Sequence, residues 1–253
     1  MRTFADRFVL PVMDLILPRT CIVCGKRLYT FEEHICTGCL ADLPLTYGWS
    51  LSRNPMAEKF NVLIQRDICQ EMQQCQPTRS HIPYSNAASL FFFNSEAPYR
   101  KIPYSIKYHG DISSGLFFGA MLGKKIACSP ALEGIDMVIP VPLYWSRRWK
   151  RGYNQAEVIA RGIAGAIGST VRTDILYRKR HTVTQTRLGT DDKSRNVKDA
   201  FGVRKKFPAG TGHILLVDDV FTTGATLHSC WQAVKAAADD IRISIAALAM
   251  VSN

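Results

Sequence analysis

The stretch from His213 to Leu227, His-Ile-Leu-Leu-Val-Asp-Asp-Val-Phe-Thr-Thr-Gly-Ala-Thr-Leu, restricts the fold more than any other part of the chain. Ile214, Leu215, Leu216 and Val217 form a continuous apolar run, which fits a strand buried on both faces of a parallel sheet. Asp218 and Asp219 stand where that strand is expected to end. Val220, Phe221, Thr222, Thr223, Gly224, Ala225 and Thr226 follow as a loop, and Leu227, Trp231, Val234 and Ala238 keep helical spacing after it. Open α/β sheets place ligands at the carboxyl ends of their strands. A Thr/Gly loop feeding a helix offers hydroxyls, free N–H groups and the positive end of the helix dipole, all suited to phosphate. Two carboxylates beside a phosphate would accept hydrogen bonds from sugar hydroxyls or face a Mg²⁺ carried by the ligand. Solvated acids at a strand end followed by an ordinary helix cap are the simpler alternative for the same residues.

Other core elements are expected around this one. Ala87–Phe93, Met137–Pro142, Val171–Tyr177 and Ser244–Val251 read as strands, and Pro98–Gly110, Leu116–Ile126 and Gln155–Ile167 read as helices. Strands alternating with helices predict an α/β fold with a doubly wound parallel sheet. Residues 178–196, polar and basic between two core strands, are expected to form a lid that closes over the site.

The net charge is +11, and it is localised. Between Leu143 and Lys206 sixteen Lys/Arg face five Asp/Glu, so this one block accounts for the entire surplus. Such a block suits a pyrophosphate, a nucleic acid, or both. Arg147, Arg148 and Arg151 follow the two prolines of the second strand, and Arg195 lies further along. Their guanidinium forks match phosphate oxygens. Trp145, Trp149 and Tyr153 are interleaved with them, placed either to stack on bases or to pack in the core.

Near the start, Cys21-Ile-Val-Cys24 and Cys36-Thr-Gly-Cys39 stand eleven residues apart. Two such knuckles make a closed four-sulfur site for structural Zn²⁺. His34 is an alternative ligand or a surface residue. Residues 18–45 contain too few apolar residues to fold without the metal. The chain is expected to divide into an N-terminal helix and zinc-ribbon module over 1–45, a linker or insertion over 46–85, and the sheet domain over 86–253. Within the linker, Asn61–Ser80 is Gln-rich and expected to be an exposed insertion or short helix. Residues 1–18 have no cleavage site, and no run of eighteen apolar residues occurs, so neither a signal peptide nor membrane insertion is expected and the protein is placed in the cytoplasm.

Leu215–Leu227 resembles the phosphoribosyl pyrophosphate loop of type I phosphoribosyltransferases, which implies a sheet domain of that kind. Taken in order, the two Cys-x-x-Cys pairs, Ile-Lys-Tyr-His-Gly, Pro-Val-Pro-Leu, Arg-Gly-Tyr-Asn-Gln, Thr-x-x-Gln-Thr, Arg-x-x-Asn-Val and the Asp-Asp loop resemble the ComF family of competence proteins. That resemblance covers all of the chain except Asn61–Ser80. It implies a zinc finger joined to a phosphoribosyltransferase domain, a role in DNA uptake during natural transformation, single-stranded DNA as a ligand and a helicase-like competence factor as a partner. An active Mg²⁺-dependent phosphoribosyltransferase, with Asp218 and Asp219 as its catalytic acids, is a second expectation. A regulator that only senses the phosphoribosyl ligand is a third. For the enzyme no general base is evident, His181 and Asp219 being the candidates, and no segment announces the acceptor.

Overall fold

The computed structural model of the chain describes residues 18–51, 53–74, 84–179 and 200–252. Five strands, β1 (Ala87–Phe93), β2 (Met137–Pro140), β3 (Thr170–Val171), β6 (His213–Phe221) and β7 (Arg242–Val251), form one parallel sheet in the order β1-β7-β6-β2-β3. Two three-residue strands, β4 (Leu176–Arg178) and β5 (Phe201–Val203), pair antiparallel outside it. The helices are α1 (Thr37–Ala41), α2 (Pro55–Gln74), α3 (Lys101–Tyr108), α4 (Ile112–Ala127), α5 (Trp145–Arg151), α6 (Gln155–Ile167) and α7 (Ala225–Ala237).

The period of two in a strand explains why the apolar run of β6 is unbroken. Ile214 and Leu216 point to one face, where α2 and α7 cover them. Leu215 and Val217 point to the other, where α3, α4 and α6 pack. Both layers are dry, which makes the sheet doubly wound. The chain leaves β6 for β7 through α7 on one face, and leaves β2 for β3 through α6 on the other. The strand order therefore switches direction between β2 and β6, and a crevice opens there at the carboxyl ends. Close packing of α4 on α6 fixes the far wall: a methyl group added at Gly162 would lie 2.4 Å from the Leu116 carbonyl oxygen.

Three expectations need correction. The strand carrying the acids does not end at Asp218; it continues to Phe221, because β7 supplies partners up to Phe221↔Met250. On its other side the ladder with β2 stops at Pro140↔Val217, closed by a last hydrogen bond from the Val141 N–H to the Val217 carbonyl at 2.8 Å. Asp218 and Asp219 thus lie on a strand whose β2 neighbour has already left. Val171–Tyr177 is not one strand: Arg172, bonded to Asp174 at 2.9 Å and 3.1 Å, folds a turn between β3 and β4. The third concerns Asn61–Ser80, expected as an exposed insertion or short helix: its described part is helix, but of the long α2 and with one face buried, so it is no exposed insertion. Met56, Ala57, Phe60, Ile64 and Ile68 of that helix are buried against the sheet. Asn54 caps it through the Ala57 N–H at 2.9 Å and also donates to the Ala87 carbonyl of β1. Asn61 exchanges two hydrogen bonds with the backbone of Ser85, so its buried amide is satisfied. Among the described residues no helix is long and apolar enough to cross a membrane.

Candidate functional site

At the carboxyl edge of the sheet the two acids lie half-buried with few protein donors. The Asp218 carboxylate accepts from the Asp219 N–H at 2.9 Å, and Asp219 accepts from the Val220 N–H at 2.8 Å and from the Gln155 amide at 3.2 Å. Lys107 approaches Asp219 to 4.0 Å. Burial, and then the neighbouring Asp219 carboxylate, push Asp218 well above the usual carboxylate range. A cation or a set of hydroxyl donors would relieve the repulsion between two neighbouring, partly buried carboxylates.

The Arg-Gly-Tyr-Asn-Gln run builds the wall next to them. Gly152 ends α5 in the left-handed region, φ +78°, where glycine avoids the Cβ penalty. Tyr153 donates its hydroxyl to the Ile106 carbonyl. Asn154 caps α6 through the Ala156 N–H at 3.1 Å and donates to the Val141 carbonyl at 2.9 Å, tying the helix to the end of β2. Gln155 accepts from Arg151 at 3.1 Å while donating to Asp219.

An open cleft of ≈ 610 Å³ lies here, lined by Lys107, Tyr108, Arg147, Lys150, Arg151 and Tyr153. Four cations in one cleft leave a strong field for an anion. Arg178, at the end of β4, adds to it. Burial, and then the Arg147 cation, lower its guanidinium pKa, while Cys230 and Asp218 act in the opposite sense.

Of the residues expected to bind anions, Arg147 and Arg151 reach the cleft. Arg148 turns toward Glu157 at 3.8 Å, and Arg195 lies outside the described residues, as do His181 and the expected lid beyond Lys179. β6 ends on the buried Phe221, and the loop after it exposes Thr222 and Thr223. Gly224 adopts φ +78°, and a Cβ there would sit 2.9 Å from the Phe221 ring. Ala225 then opens α7, with Thr226 in its first turn. The loop therefore presents its hydroxyls and helix N-terminus on the same edge as the acids. Trp145 and Trp149 are 67% and 88% exposed, so neither packs in the core.

Lys107, Tyr108, Lys150 and Gln155 adjoin the site with no role assigned to them from the sequence, although Lys107 and Tyr108 lie in the Ile-Lys-Tyr-His-Gly motif and Gln155 in Arg-Gly-Tyr-Asn-Gln. Arg178 opens the basic segment expected to form the lid.

The N-terminal cysteines converge. Cys21, Cys24, Cys36 and Cys39 have their sulfurs within 4.8 Å of one another, with Cys24 and Cys36 at 3.7 Å. Tetrahedral Zn–S bonds of about 2.3 Å require sulfurs roughly 3.8 Å apart, so the set fits a four-thiolate zinc. Burial, and then the neighbouring sulfurs, push the Cys39 thiol up; a divalent ion removes that conflict. Glu32 clamps the module by accepting from Tyr29 N–H at 2.8 Å and Thr37 N–H at 2.6 Å. His34 is neither a ligand nor a loose surface residue. It meets the Ser114 hydroxyl at 2.9 Å and the Phe117 ring, which seats the module on α4. Val23, Leu28, Ile35 and Leu43 join the same buried cluster as Phe91, Ile106 and Phe118.

No family model matches the chain. Over 96 residues it is 40% identical to a Haemophilus influenzae protein named Competence protein F, covering 37% of this chain and 41% of that one. Over 99 residues it is 36% identical to the DNA utilization protein YhgH of Salmonella typhimurium, covering 39% of this chain and 43% of that one. The match thus spans less than half the length of either relative. Among solved structures, a glutamine phosphoribosylpyrophosphate amidotransferase from B. subtilis with ADP and GMP aligns with a TM-score of 0.34 and 15% identity, covering 56% of this chain and 30% of that one. A hypoxanthine phosphoribosyltransferase from Staphylococcus aureus aligns with a TM-score of 0.33 and 12% identity, covering 55% and 64%.

Proposed function

We propose that the cleft binds phosphoribosyl pyrophosphate, and that the same basic face binds single-stranded DNA in the service of DNA uptake for natural transformation. The observation that carries the first half is the meeting of three unlike groups on one sheet edge: a cationic cleft, a half-buried acid pair, and a hydroxyl-rich loop at a helix N-terminus. Pyrophosphate would lie against Lys107, Arg147 and Arg151, the ribose hydroxyls against Asp218 and Asp219, and the 5′-phosphate in Val220–Thr226. Magnesium brought with the donor would sit against the two acids and neutralise them. If a group is transferred, the cations would stabilise charge developing on the departing pyrophosphate.

The second half rests on the exposed tryptophans among the arginines and on the relatives' names, one for competence and one for DNA utilization. In that setting the protein would work beside a helicase-like competence factor. Equilibrium dialysis with labelled donor and Mg²⁺ tests the reading. Saturation at about one donor per chain is expected, and no retention in the presence of Mg²⁺ rules it out. Following pyrophosphate release with candidate bases or DNA then separates binding from turnover.

A further inference from the structure

Helix α3 buries Ile102, Pro103 and Ile106 and leaves Arg100 (just before it), Lys101, Tyr104 and Tyr108 exposed on its outer side. One flank lines the cationic cleft with Lys107 and Tyr108. The other flank lines a second groove of ≈ 370 Å³, where Arg100, Lys101, Tyr104 and His109 face Ile22 of the zinc module. The two grooves meet at the tyrosines, whose ring centroids are 4.9 Å apart. Lys107 and Arg151 stand 5.7 Å and 5.5 Å from the centre of the Tyr108 ring, which places phosphate-binding charge beside an aromatic face. The nearby acid, Asp111, is already engaged by Ser105, Ser113 and Ser114. The zinc module is held against this helix, with Lys101 donating to the Val23 carbonyl at 2.8 Å.

We infer that the outer side of α3 is the floor of a single-stranded DNA track that leaves the cleft, crosses Tyr108 and Tyr104, and enters the groove whose far wall is the zinc module. This rests on the single-stranded DNA reading above and assigns its path. Tyr104, 54% exposed, and Tyr108, 56% exposed, are open platforms rather than walls of an enclosed pocket, so they suit bases presented along a strand. A duplex hides its base faces, whereas an unpaired strand offers them for stacking. Arg100, Lys107 and Arg151 along it match its phosphates. The zinc module then has a task beyond its own folding: it closes one side of the track.

The test is binding of a fluorescent oligothymidine of about 20 nucleotides, longer than a single stacking site, across a salt series. Tyr104→Ala should weaken binding by about fivefold or more, and Tyr104→Ala with Tyr108→Ala by more again. The log–log salt slope should not change, because stacking releases no counterions. Tyr104→Phe should bind as the parent protein does, which separates stacking from a folding defect. Arg100→Gln should instead flatten the slope by roughly 0.7. If the parent protein retains no oligonucleotide, the single-stranded DNA reading fails and the track with it. If the parent binds and Tyr104→Ala binds equally well, the track is wrong and the reading stands. Loss of free adenine binding in Tyr104→Ala, with oligonucleotide binding intact, would make the seat a small-molecule pocket and overturn the track.

Discussion

Replacing the three arginines of α5 one at a time should separate them sharply, because the fold gives them different surroundings. Arg147 and Arg151 line the cleft, while Arg148 is 61% exposed and sits 3.8 Å from Glu157, which also holds Arg161 at 2.7 Å. A charge-assisted hydrogen bond to a bound anion contributes about 1.5–3 kcal/mol, or roughly 10- to 150-fold in affinity. Arg147→Gln should therefore weaken phosphoribosyl pyrophosphate by at least about tenfold. Arg151→Gln should cost more than that, since Arg151 also orients Gln155, the donor to Asp219. Arg148→Gln loses only an exposed ion pair, a matter of about 0–1 kcal/mol, and should change affinity by less than about fivefold. For single-stranded DNA, removing the two cleft arginines together should flatten the log–log salt slope by roughly 1.4, at about 0.7 per phosphate released. Calorimetry with Mg²⁺ reads the first effect, and anisotropy across a salt series reads the second. A penalty for Arg148→Gln equal to that for Arg147→Gln would refute the placement of the cleft. A slope and a donor affinity both unmoved by the cleft pair would return these arginines to ordinary solvated surface.

Purified protein should carry about one zinc per chain, and chelation should make Cys21, Cys24, Cys36 and Cys39 reactive to thiol reagents; less than about a tenth of that zinc with the cysteines reduced would contradict the site. Ile64→Ala should destabilise the protein by about 2–5 kcal/mol in urea unfolding, as for a buried isoleucine, whereas a change within about 0.5 kcal/mol would mean α2 lies on the surface. Burial, and then the Arg242 cation, hold His213 below its ordinary value of 6.5, with its ring bonded to the Glu133 carbonyl and Ser244. The folded state thus prefers neutral His213, so its contribution is present above pH 6.5 and lost as pH falls below it. Urea midpoints should drop between about pH 7 and about pH 5.5, and a drop as large in His213→Asn would take the effect away from this residue.

The central strand was legible because four consecutive apolar residues cannot alternate, which forces two covered faces. The four-cysteine cluster was legible because ligand spacing is local. Helix α2 was legible only in part: a short helix was one reading of Asn61–Ser80, but its length and buried face were not seen, although Met56, Phe60, Ile64 and Ile68 recur every four residues, because the glutamines of its far end dominate the composition. The antiparallel pair of β4 and β5 left no pattern, since three residues are too few to show a period. Lys107 is one cation in an ordinary element, and Arg178 stood only as the start of a basic segment expected to close over the site. Only the crossing of the chain from α3 and β4 to the edge of β2 and β6 brings them to the acids. Asp218 and Asp219 were placed correctly on that edge, but their burial depends on β7 continuing past β2, which local sequence does not announce.

The central claim, that the acid pair and the cleft bind phosphoribosyl pyrophosphate, is tested most directly by calorimetric titration of that compound with Mg²⁺ into the parent protein and into the Asp218→Ala, Asp219→Ala double variant. The parent should bind one equivalent, and the variant, folded by circular dichroism, should bind at least about tenfold more weakly, the equivalent of one lost charge-assisted contact. Equal affinities in the two proteins, or no heat from the parent, would contradict it.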